Sequence, residues 1–310
     1  MGSRIGEYNP LTPLQTAGSG SARWCIASRG GQRFFLKQFL SPVYPPKADT
    51  RIKEKQQERC RQFESRKQRL YSAMSCVLGD TLVPVLDFFR YKGHYYAVSE
   101  AVYTEINGEN KTGLTDTEKQ QVLYHLALCL QRLHVQRVVH ADLKPEHILL
   151  TSRSWGYQVR LIDLDSGFLL DDPPPLGSGL EGDPVYLSPE AFLRMTGLDA
   201  PMTSAIDRFA FGAIIHRIWT GELPGFDREK YAYLYEAVLD EADIQLSDTL
   251  PDHMRTLVHE LLSTDPAKRP DDATCVRVLG EGVGPISGIY LPQAQGDEPL
   301  NGLAKFMKKR

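Results

Sequence analysis

Several features are scarce or missing in this chain of 310 residues, and each absence argues against a class of protein. No apolar run approaches the roughly 18 residues that a membrane span needs, so we expect no membrane span. A formal net charge of −3 and a pI of about 6.3 give no basic excess, so we expect no nucleic-acid partner. The first residues lack the apolar stretch of a signal peptide, which predicts a cytoplasmic protein.

Cysteine is also sparse. The five cysteines are scattered along the chain and form no C-x-x-C pair. An odd number without metal-ligand spacing argues against a disulfide framework or a zinc site, so we expect reduced thiols in the core. The remaining composition, 42% hydrophobic and 24% charged, is typical of a globular protein with one large or two small domains.

Two acidic residues lie where apolar segments of the chain give way to short polar clusters. Asp142 belongs to the polar cluster 140–145, which follows two valines and precedes an apolar run. A strand pattern over 157–162 ends at Asp163. Rigid apolar elements that hold polar groups on loops are typical of catalytic sites, so both acids are candidate catalytic residues.

These residues carry a family resemblance. HADLKPEH at 140–147, followed by DLD at 163–165, resembles the H-R-D-L-K-P-x-N and D-F-G patterns of eukaryotic-type Ser/Thr protein kinases. The similarity covers roughly residues 10–283 and implies an α+β fold of two lobes, a β-rich N-lobe and a helical C-lobe. It continues in three later stretches: GDPVYLSPE at 182–190, IDRFAFG at 206–212 and DPAKRP at 265–270.

Local signals place the elements of this fold. Gly30-Gly31 between two β-favouring runs predicts a hairpin. A long charged helix pattern ends near Met74, with a thin apolar stripe, and a capping-box pattern at Thr115 predicts the next helix. The stripe consists of Ile52, Cys60, Phe63, Leu70 and Met74. The predicted units are a lead-in at 1–13, an N-lobe at 14–102, a C-lobe at 103–283 and a tail at 284–310.

The resemblance implies a set of ATP-binding residues in the N-lobe. Gly18 and Gly20 fit the first two glycines of a phosphate-covering G-x-G-x-x-G loop, although the third glycine is absent. Lys37 matches the strand lysine that grips the α- and β-phosphates. The family pairs this lysine with a glutamate of the following helix, for which Glu64 is favoured and Glu58 is the alternative.

The connection between the lobes is the third part of the implied nucleotide site. Ser99 corresponds to the back of the nucleotide pocket. Glu100 to Val102 correspond to the hinge whose backbone reads adenine. Without the resemblance, these residues would be read as an ordinary strand between domains.

The polar clusters supply the expected chemistry. Phosphoryl transfer needs alignment, charge neutralisation and a group that accepts the hydroxyl proton. The resemblance assigns the last role to Asp142, and it assigns neutralisation of the γ-phosphate to Lys144. Asp163 is expected to hold Mg²⁺, a hard cation that prefers carboxylate oxygen.

Three positions depart from the family pattern. His147 replaces the asparagine that helps to hold a second metal, and Asp165 replaces the glycine of D-F-G. Both are candidate metal ligands, for Mg²⁺ or Mn²⁺. Ala141 replaces the arginine that receives an activation-loop phosphate. The bacterial lipopolysaccharide-core kinases are similar to this chain in having a histidine and a leucine at the corresponding places.

The segment 166–183 contains no threonine or tyrosine, several acids and three consecutive prolines. We therefore predict constitutive activity or control by a partner, without a phosphorylation switch at Ser178. Asp183 replaces the threonine that bridges the catalytic Asp and Lys in the family. This substitution places an extra negative charge near Asp142.

Three residues of the C-lobe are expected to act structurally. Glu190 should pair with Arg269 inside the lobe, where breaking a buried pair is costly. Asp207 should cap the backbone of the catalytic loop.

Three functions are compatible with these features. The leading hypothesis is ATP- and magnesium-dependent phosphotransfer to a Ser/Thr hydroxyl of a protein substrate. A pseudokinase that binds nucleotide as a scaffold or regulator is the first alternative, and it would act through a regulatory partner. A kinase-fold enzyme with a non-protein acceptor is the second.

Overall fold

A computed structural model shows a β-rich N-terminal part and a helical C-terminal part, which confirms the predicted α+β, two-lobed class. It describes residues 4–16, 20–46, 50–77, 80–102, 113–177 and 182–283. The strands are β1 (Asn9–Pro10), β2 (Gln15–Thr16), β3 (Ala22–Arg29), β4 (Gln32–Phe39), β5 (Val85–Tyr91), β6 (His94–Glu100), β7 (Val138–Val139), β8 (Ile148–Arg153), β9 (Gly156–Leu161) and β10 (Phe168–Leu169). The helices are α1 (Arg51–Met74), α2 (Asp116–Val135), α3 (Pro189–Met195), α4 (Ala205–Thr220), α5 (Leu234–Leu239), α6 (Asp252–Leu261) and α7 (Asp272–Gly280).

The N-lobe is built on one antiparallel sheet in the order β1-β3-β4-β6-β5, with β2 also paired to β3. The β3–β4 hairpin turns at Gly30 and Gly31, which both have positive φ. Two adjacent positive-φ residues match the twist of the flanking strands, and glycine adopts them at low cost. The predicted hairpin is confirmed.

Successive side chains of strand β4 point to opposite faces of this sheet. Phe34 and Leu36 point to a small outer core that includes Tyr8. Phe35 and Lys37 point to the opposite face, toward the cleft between the lobes. The alternation therefore aims the predicted phosphate-binding lysine into the cleft.

Helix α1 packs on the inner face of the N-lobe. Thr50 begins it, because its hydroxyl accepts a hydrogen bond from the Lys53 N–H at 3.3 Å. The predicted apolar stripe is buried at Cys60, Leu70 and Met74, but Ile52 is 79% exposed and lies outside it.

The C-lobe is organised around α2 and α4. The capping box at Thr115 is present, since its side chain accepts from the Glu118 N–H and the Glu118 carboxylate accepts from the Thr115 N–H. Helix α4 is apolar almost all round and is buried in the main core, as such a helix must be. Among the described residues, no helix is both long and apolar enough to cross a bilayer.

The predicted buried ion pair of the C-lobe is confirmed. The Arg269 guanidinium donates two parallel hydrogen bonds to Glu190, with Nη1–Oε1 at 2.6 Å and Nη2–Oε2 at 2.9 Å. Arg269 also donates to the carbonyl of Ala205 at 2.7 Å, which ties the start of α4 to the end of the segment 182–190. Both charged side chains are buried and fully paired, as burial requires.

The cysteines are free thiols. Four of them are buried, in line with the expected core thiols. Cys76 is exposed just after α1, so the expectation was wrong for that residue.

Candidate active site

The loop between β7 and β8 carries the first acid, and Asp207 fixes its backbone. Asp207 of α4 accepts from the N–H of His140 at 2.7 Å and from the N–H of Ala141 at 2.8 Å. Ala141 has φ of 61°, a left-handed conformation that is costly for a residue with a Cβ. The two hydrogen bonds hold the loop in that conformation, and the predicted capping role of Asp207 is confirmed.

A buried histidine supports Asp207 from behind. His134 of α2 lies between two carboxylates, with Nε2 at 2.9 Å from Asp207 and Nδ1 at 3.0 Å from Asp272. Burial alone would lower the pKa of His134, but the two carboxylates outweigh it and raise the pKa to about 9. The protonated ring thereby links α2, α4 and α7 beneath the loop.

Asp142 projects from this loop toward His147, with Oδ2 3.5 Å from its Nδ1. Its Oδ1 accepts from the backbone N–H of Asp183 at 2.9 Å, and its Oδ2 lies 3.4 Å from Nζ of Lys144. Burial raises the pKa of Asp142, against the opposing effects of the Asp183 N–H and Lys144. Lys144 also lies 3.7 Å from the Asp183 carboxylate, so one ammonium group serves both acids.

Asp163 approaches the same histidine from the loop after β9, with Oδ2 3.7 Å from Nε2 of His147. Its φ of 61° is also left-handed, so the two acid-bearing loops each contain a strained residue. Lys37 donates to both carboxylate oxygens, at 2.8 and 2.7 Å. Burial alone would raise the pKa of Asp163, but the charge of Lys37 outweighs it and the pKa falls to about 2.

His147 lies between the two acids, on a 3₁₀ turn at Pro145–His147. Its Nδ1 is 2.8 Å from the Asp142 carbonyl oxygen, which only accepts, so Nδ1 carries the proton in the neutral ring. Nε2 then presents a lone pair 3.7 Å from the Asp163 carboxylate. Burial lowers the pKa of His147, which favours this neutral form as a metal ligand.

The predicted pairing of Lys37 with a glutamate of α1 is wrong. Glu64 contacts Arg90 at 3.3 Å, and Glu58 lies exposed with its carboxylate on Arg61. Lys37 instead bridges Asp163 and Asp165, with Nζ 2.5 Å from the Asp165 carboxylate.

Lys67, three residues after Glu64, is the α1 side chain that faces the DLD turn. The Lys67 ammonium donates to the carbonyl oxygen of Asp165 at 2.7 Å. The acid that partners Lys37 therefore comes from the DLD turn, and the helix contributes a positive charge.

The residues expected to bind metal are adjacent but are not arranged as a ready-made site. Within the described ranges, no group of three His, Cys, Asp or Glu side chains has metal-binding geometry. Lys37 explains this, because its ammonium holds the carboxylates of Asp163 and Asp165. Carboxylate oxygen suits Mg²⁺ and imidazole nitrogen suits transition metals, so these side chains stay candidate ligands for a divalent cation.

A cavity of about 250 Å³ lies beside these residues, between the lobes. Lys37, Ser99, Glu100 and Val102 all line it, so the structure brings the predicted phosphate-binding and hinge residues to one cavity. Glu100 also extends its carboxylate to Arg160 at 3.2 Å.

The glycine loop is described in part. Gly20 has φ of 72° and open space around it, whereas Gly18 lies outside the described residues. Its role in covering phosphate stays a prediction.

A family model for the protein kinase domain matches residues 48–278, about three quarters of the chain. The chain belongs to the protein kinase family. The resemblance inferred from the motifs is confirmed. The matched range begins after Lys37, so the assignment of the strand lysine rests on the geometry of the cleft.

Curated relatives are also protein kinases. Calcium/calmodulin-dependent protein kinase type II subunit delta of Oryctolagus cuniculus is 30% identical over 152 residues, which is 48% of this chain and 27% of that protein. Calcium/calmodulin-dependent protein kinase type II of Caenorhabditis elegans is 31% identical over 153 residues, 48% of this chain and 20% of that protein. The match thus spans between a fifth and just over a quarter of each relative's length.

Two residues near the cavity, Lys67 and Phe35, were not predicted from the sequence to belong to the site. Lys67 occurs at stripe spacing, four residues after Phe63 and three before Leu70, and a lysine inside an apolar stripe is the signal that was missed. Phe35 lines the cavity where the family pattern V-A-I-K has alanine. Its ring occupies part of the cavity and stacks on Trp24, with centroids 5.4 Å apart.

Proposed function

We propose that this kinase-family chain transfers the γ-phosphate of ATP to a Ser or Thr hydroxyl of a protein. The observation that carries the proposal is that His147 lies 3.5 Å from Asp142 and 3.7 Å from Asp163, so the two acids face one another across it. Lys144 contacts the first acid and Lys37 the second, and the Lys37–Asp163 pair lines the cavity between the lobes. A purely structural role gives no chemical reason to keep these four charges together. The curated relatives are protein kinases, and this favours a protein acceptor.

Asp142 is the residue proposed to orient the acceptor hydroxyl and take its proton. Its raised pKa keeps it closer to the basicity that a general base needs than an exposed aspartate would be. The Asp183 N–H binds Oδ1, so Oδ2, beside Lys144, is the oxygen proposed to accept the hydroxyl proton. Lys144, 3.4 Å away, is placed to stabilise negative charge on the transferring phosphoryl group.

Asp163, Asp165 and His147 are the residues proposed to hold Mg²⁺ or Mn²⁺. A divalent cation supplies charge neutralisation and alignment of the phosphates when bound. Lys37 would then leave the two carboxylates and contact the α- and β-phosphates. Exchange of one anion for another keeps its buried ammonium paired throughout.

One observation favours a second function, a nucleotide-binding regulator without turnover. Lys37 contacts Asp163 and Asp165, and Lys67 also lies 4.0 Å from the Asp165 carboxylate. These two lysines balance the two carboxylates, so charge neutrality here does not require a metal. The cavity of about 250 Å³ is also small beside the 300–1,000 Å³ that is common for ligand sites.

Transfer of label from γ-labelled ATP separates the two functions. With Mg²⁺ or Mn²⁺, the wild type is expected to label itself or a generic Ser/Thr substrate. Asp142→Asn should lower the rate by about 10²–10⁴-fold, the usual contribution of general acid–base catalysis, while nucleotide affinity stays within about twofold. Absence of transfer from a wild type that still binds ATP would favour the regulator. Transfer that survives in Asp142→Asn would refute the assigned mechanism.

A further inference from the structure

Lys67 is a charged residue built into the apolar face of a helix. It is 7% exposed, and it continues the stripe that buries Leu70 and Met74. Burying an ammonium group is costly unless it is paired and hydrogen-bonded. A lysine at this position therefore requires compensation from its surroundings.

The cost of burying the Lys67 ammonium is offset by contacts with the DLD turn and with aromatic rings. Nζ of Lys67 lies 2.7 Å from the Asp165 carbonyl oxygen and 4.0 Å from its carboxylate. Three aromatic rings surround the ammonium, with centroids at 5.3 to 5.9 Å. The rings belong to Phe39, Phe63 and Tyr71. The contacts fit a single position of α1 against the turn.

Asp165 contacts both Lys67 of the helix and Lys37 of the strand. Its carboxylate contacts Nζ of Lys37 at 2.5 Å, while its carbonyl accepts from Lys67. The chain of contacts therefore runs from Lys67 on α1, through Asp165 in the DLD turn, to Lys37 on β4. In the usual kinase arrangement a helix glutamate contacts the strand lysine directly, and that pair must form for activity.

A second group of ion pairs joins the same helix to the segment after β10. Arg69 contacts Asp172 at 3.1 Å and Asp171 at 3.0 Å, and Arg66 contacts Asp172 at 3.3 Å. These side chains are partly exposed, so each pair contributes only about 0–1 kcal/mol. These ion pairs attach α1 to the segment through aspartate side chains. The attachment therefore does not require a phosphorylated residue.

We propose that Lys67 is a positioning residue that holds α1 on the DLD turn through Asp165, in place of the direct helix-glutamate pair and with the helix charge reversed. The proposal rests on the proposed function for its consequence in nucleotide binding. The contact itself exists without turnover, and it can be tested in the unliganded protein.

Hydrogen exchange of the α1 amides measures the attachment directly. Lys67→Met keeps the length of the side chain and removes its charge. We expect exchange in α1 to rise by about tenfold, since a hydrogen bond with a charged partner is lost. Lys55→Met is the matched control, because Lys55 is exposed on the same helix and should change exchange by less than twofold.

A charge-transfer variant makes the test specific. Lys67→Glu alone places like charges at the turn and should loosen α1 at least as much as Lys67→Met. Adding Asp165→Gly removes the opposing carboxylate, but not the backbone carbonyl, and frees Lys37 to pair with the new acid. K67E/D165G should therefore recover part of the protection that K67E loses. If Lys67→Met fails to fold, the comparison of K67E with K67E/D165G decides the matter.

The outcomes separate this proposal from the proposed function. Exchange in Lys67→Met that matches Lys55→Met, or no recovery in K67E/D165G relative to K67E, would overturn the positioning role. A wild type that transfers no phosphate leaves the exchange result unaffected. In a wild type that does bind ATP, Lys67→Met should also weaken ATP binding by about tenfold, in proportion to the loosened helix.

Discussion

The two sides of the cleft differ in how closely they follow the kinase pattern. Below the catalytic loop, Asp207 caps two N–H groups, and Arg269 holds Glu190, both as the family pattern predicts. On the opposite side, Lys37 contacts Asp165 where the family has a helix glutamate, and the helix contributes Lys67. The residues beneath the loop match the family pattern, whereas the charged residues around the DLD turn differ from it.

The two sides of the cleft differ in whether a charged residue can be supplied from another element of the fold. Asp207 accepts three hydrogen bonds, from two backbone N–H groups and from His134, so its removal leaves several buried donors unpaired. Lys37 needs a carboxylate beside it, but the geometry allows that carboxylate to come from the turn as well as from the helix. We expect Asp207 and the Glu190–Arg269 pair to determine the stability of the fold. We expect the DLD turn to determine nucleotide binding.

The largest expected effect on stability is at the buried ion pair. Glu190→Ala leaves the Arg269 guanidinium without its carboxylate at a site where both are buried, and should cost about 3–5 kcal/mol in the free energy of unfolding. Urea denaturation measures this. The exposed Arg277–Glu281 pair offers the control, where Arg277→Ala should cost about 0–1 kcal/mol. Similar losses at both sites would contradict the comparison.

Stability should also fall at high pH through His134. A folded-state pKa of about 9 against an ordinary value of 6.5 means that protonated His134 favours the folded state. The contribution is fully present below pH 6.5 and is lost as the pH rises through about 9. At 1.36 kcal/mol per pKa unit it is on the order of 3 kcal/mol.

Unfolding free energies measured across this pH range check the sign. His134→Gln removes the titrating group and should flatten the profile between the two pKa values. A wild-type stability that rises over the same range would contradict the assignment of a charged His134 between Asp207 and Asp272.

A smaller effect is expected at Gly167, next to the DLD turn. A Cβ there would lie 3.0 Å from the carbonyl oxygens of both Leu164 and Val139, so backbone must shift. Gly167→Ala should cost about 1–3 kcal/mol, the usual range for overpacking. Gly113→Ala is the control, because its added methyl group meets no heavy atom within 4 Å. Equal melting temperatures for the two variants would show that the turn tolerates displacement.

The smallest expected effect is at Ser178, which lies outside the described residues. Ala141 replaces the arginine that would receive a phosphate, and aspartates already bind Arg66 and Arg69. Ser178→Ala should therefore leave the rate of phosphate transfer unchanged. A large drop in initial rate would show that phosphorylation of this segment does control activity.

The sequence allowed prediction of features that depend on local pattern or on family motifs. The hairpin at Gly30-Gly31, the capping box at Thr115 and the Glu190–Arg269 pair are of this kind. The partner of Lys37 was missed, because it depends on how a long charged helix is rotated about its axis. Glu64 and Lys67 are three residues apart, and tertiary packing alone decides which of them faces the cleft.

The DLD turn allows the most direct test of the central claim, that Asp142, Asp163 and Lys37 act in one nucleotide cleft. A crystal structure with Mn²⁺ and a non-hydrolysable ATP analogue would locate the metal by its anomalous signal. We predict Mn²⁺ on Asp163, with Asp165 or His147 completing the protein ligands, and Lys37 on the α- or β-phosphate. Mn²⁺ bound elsewhere, with Lys37 still bridging Asp163 and Asp165, would contradict the account.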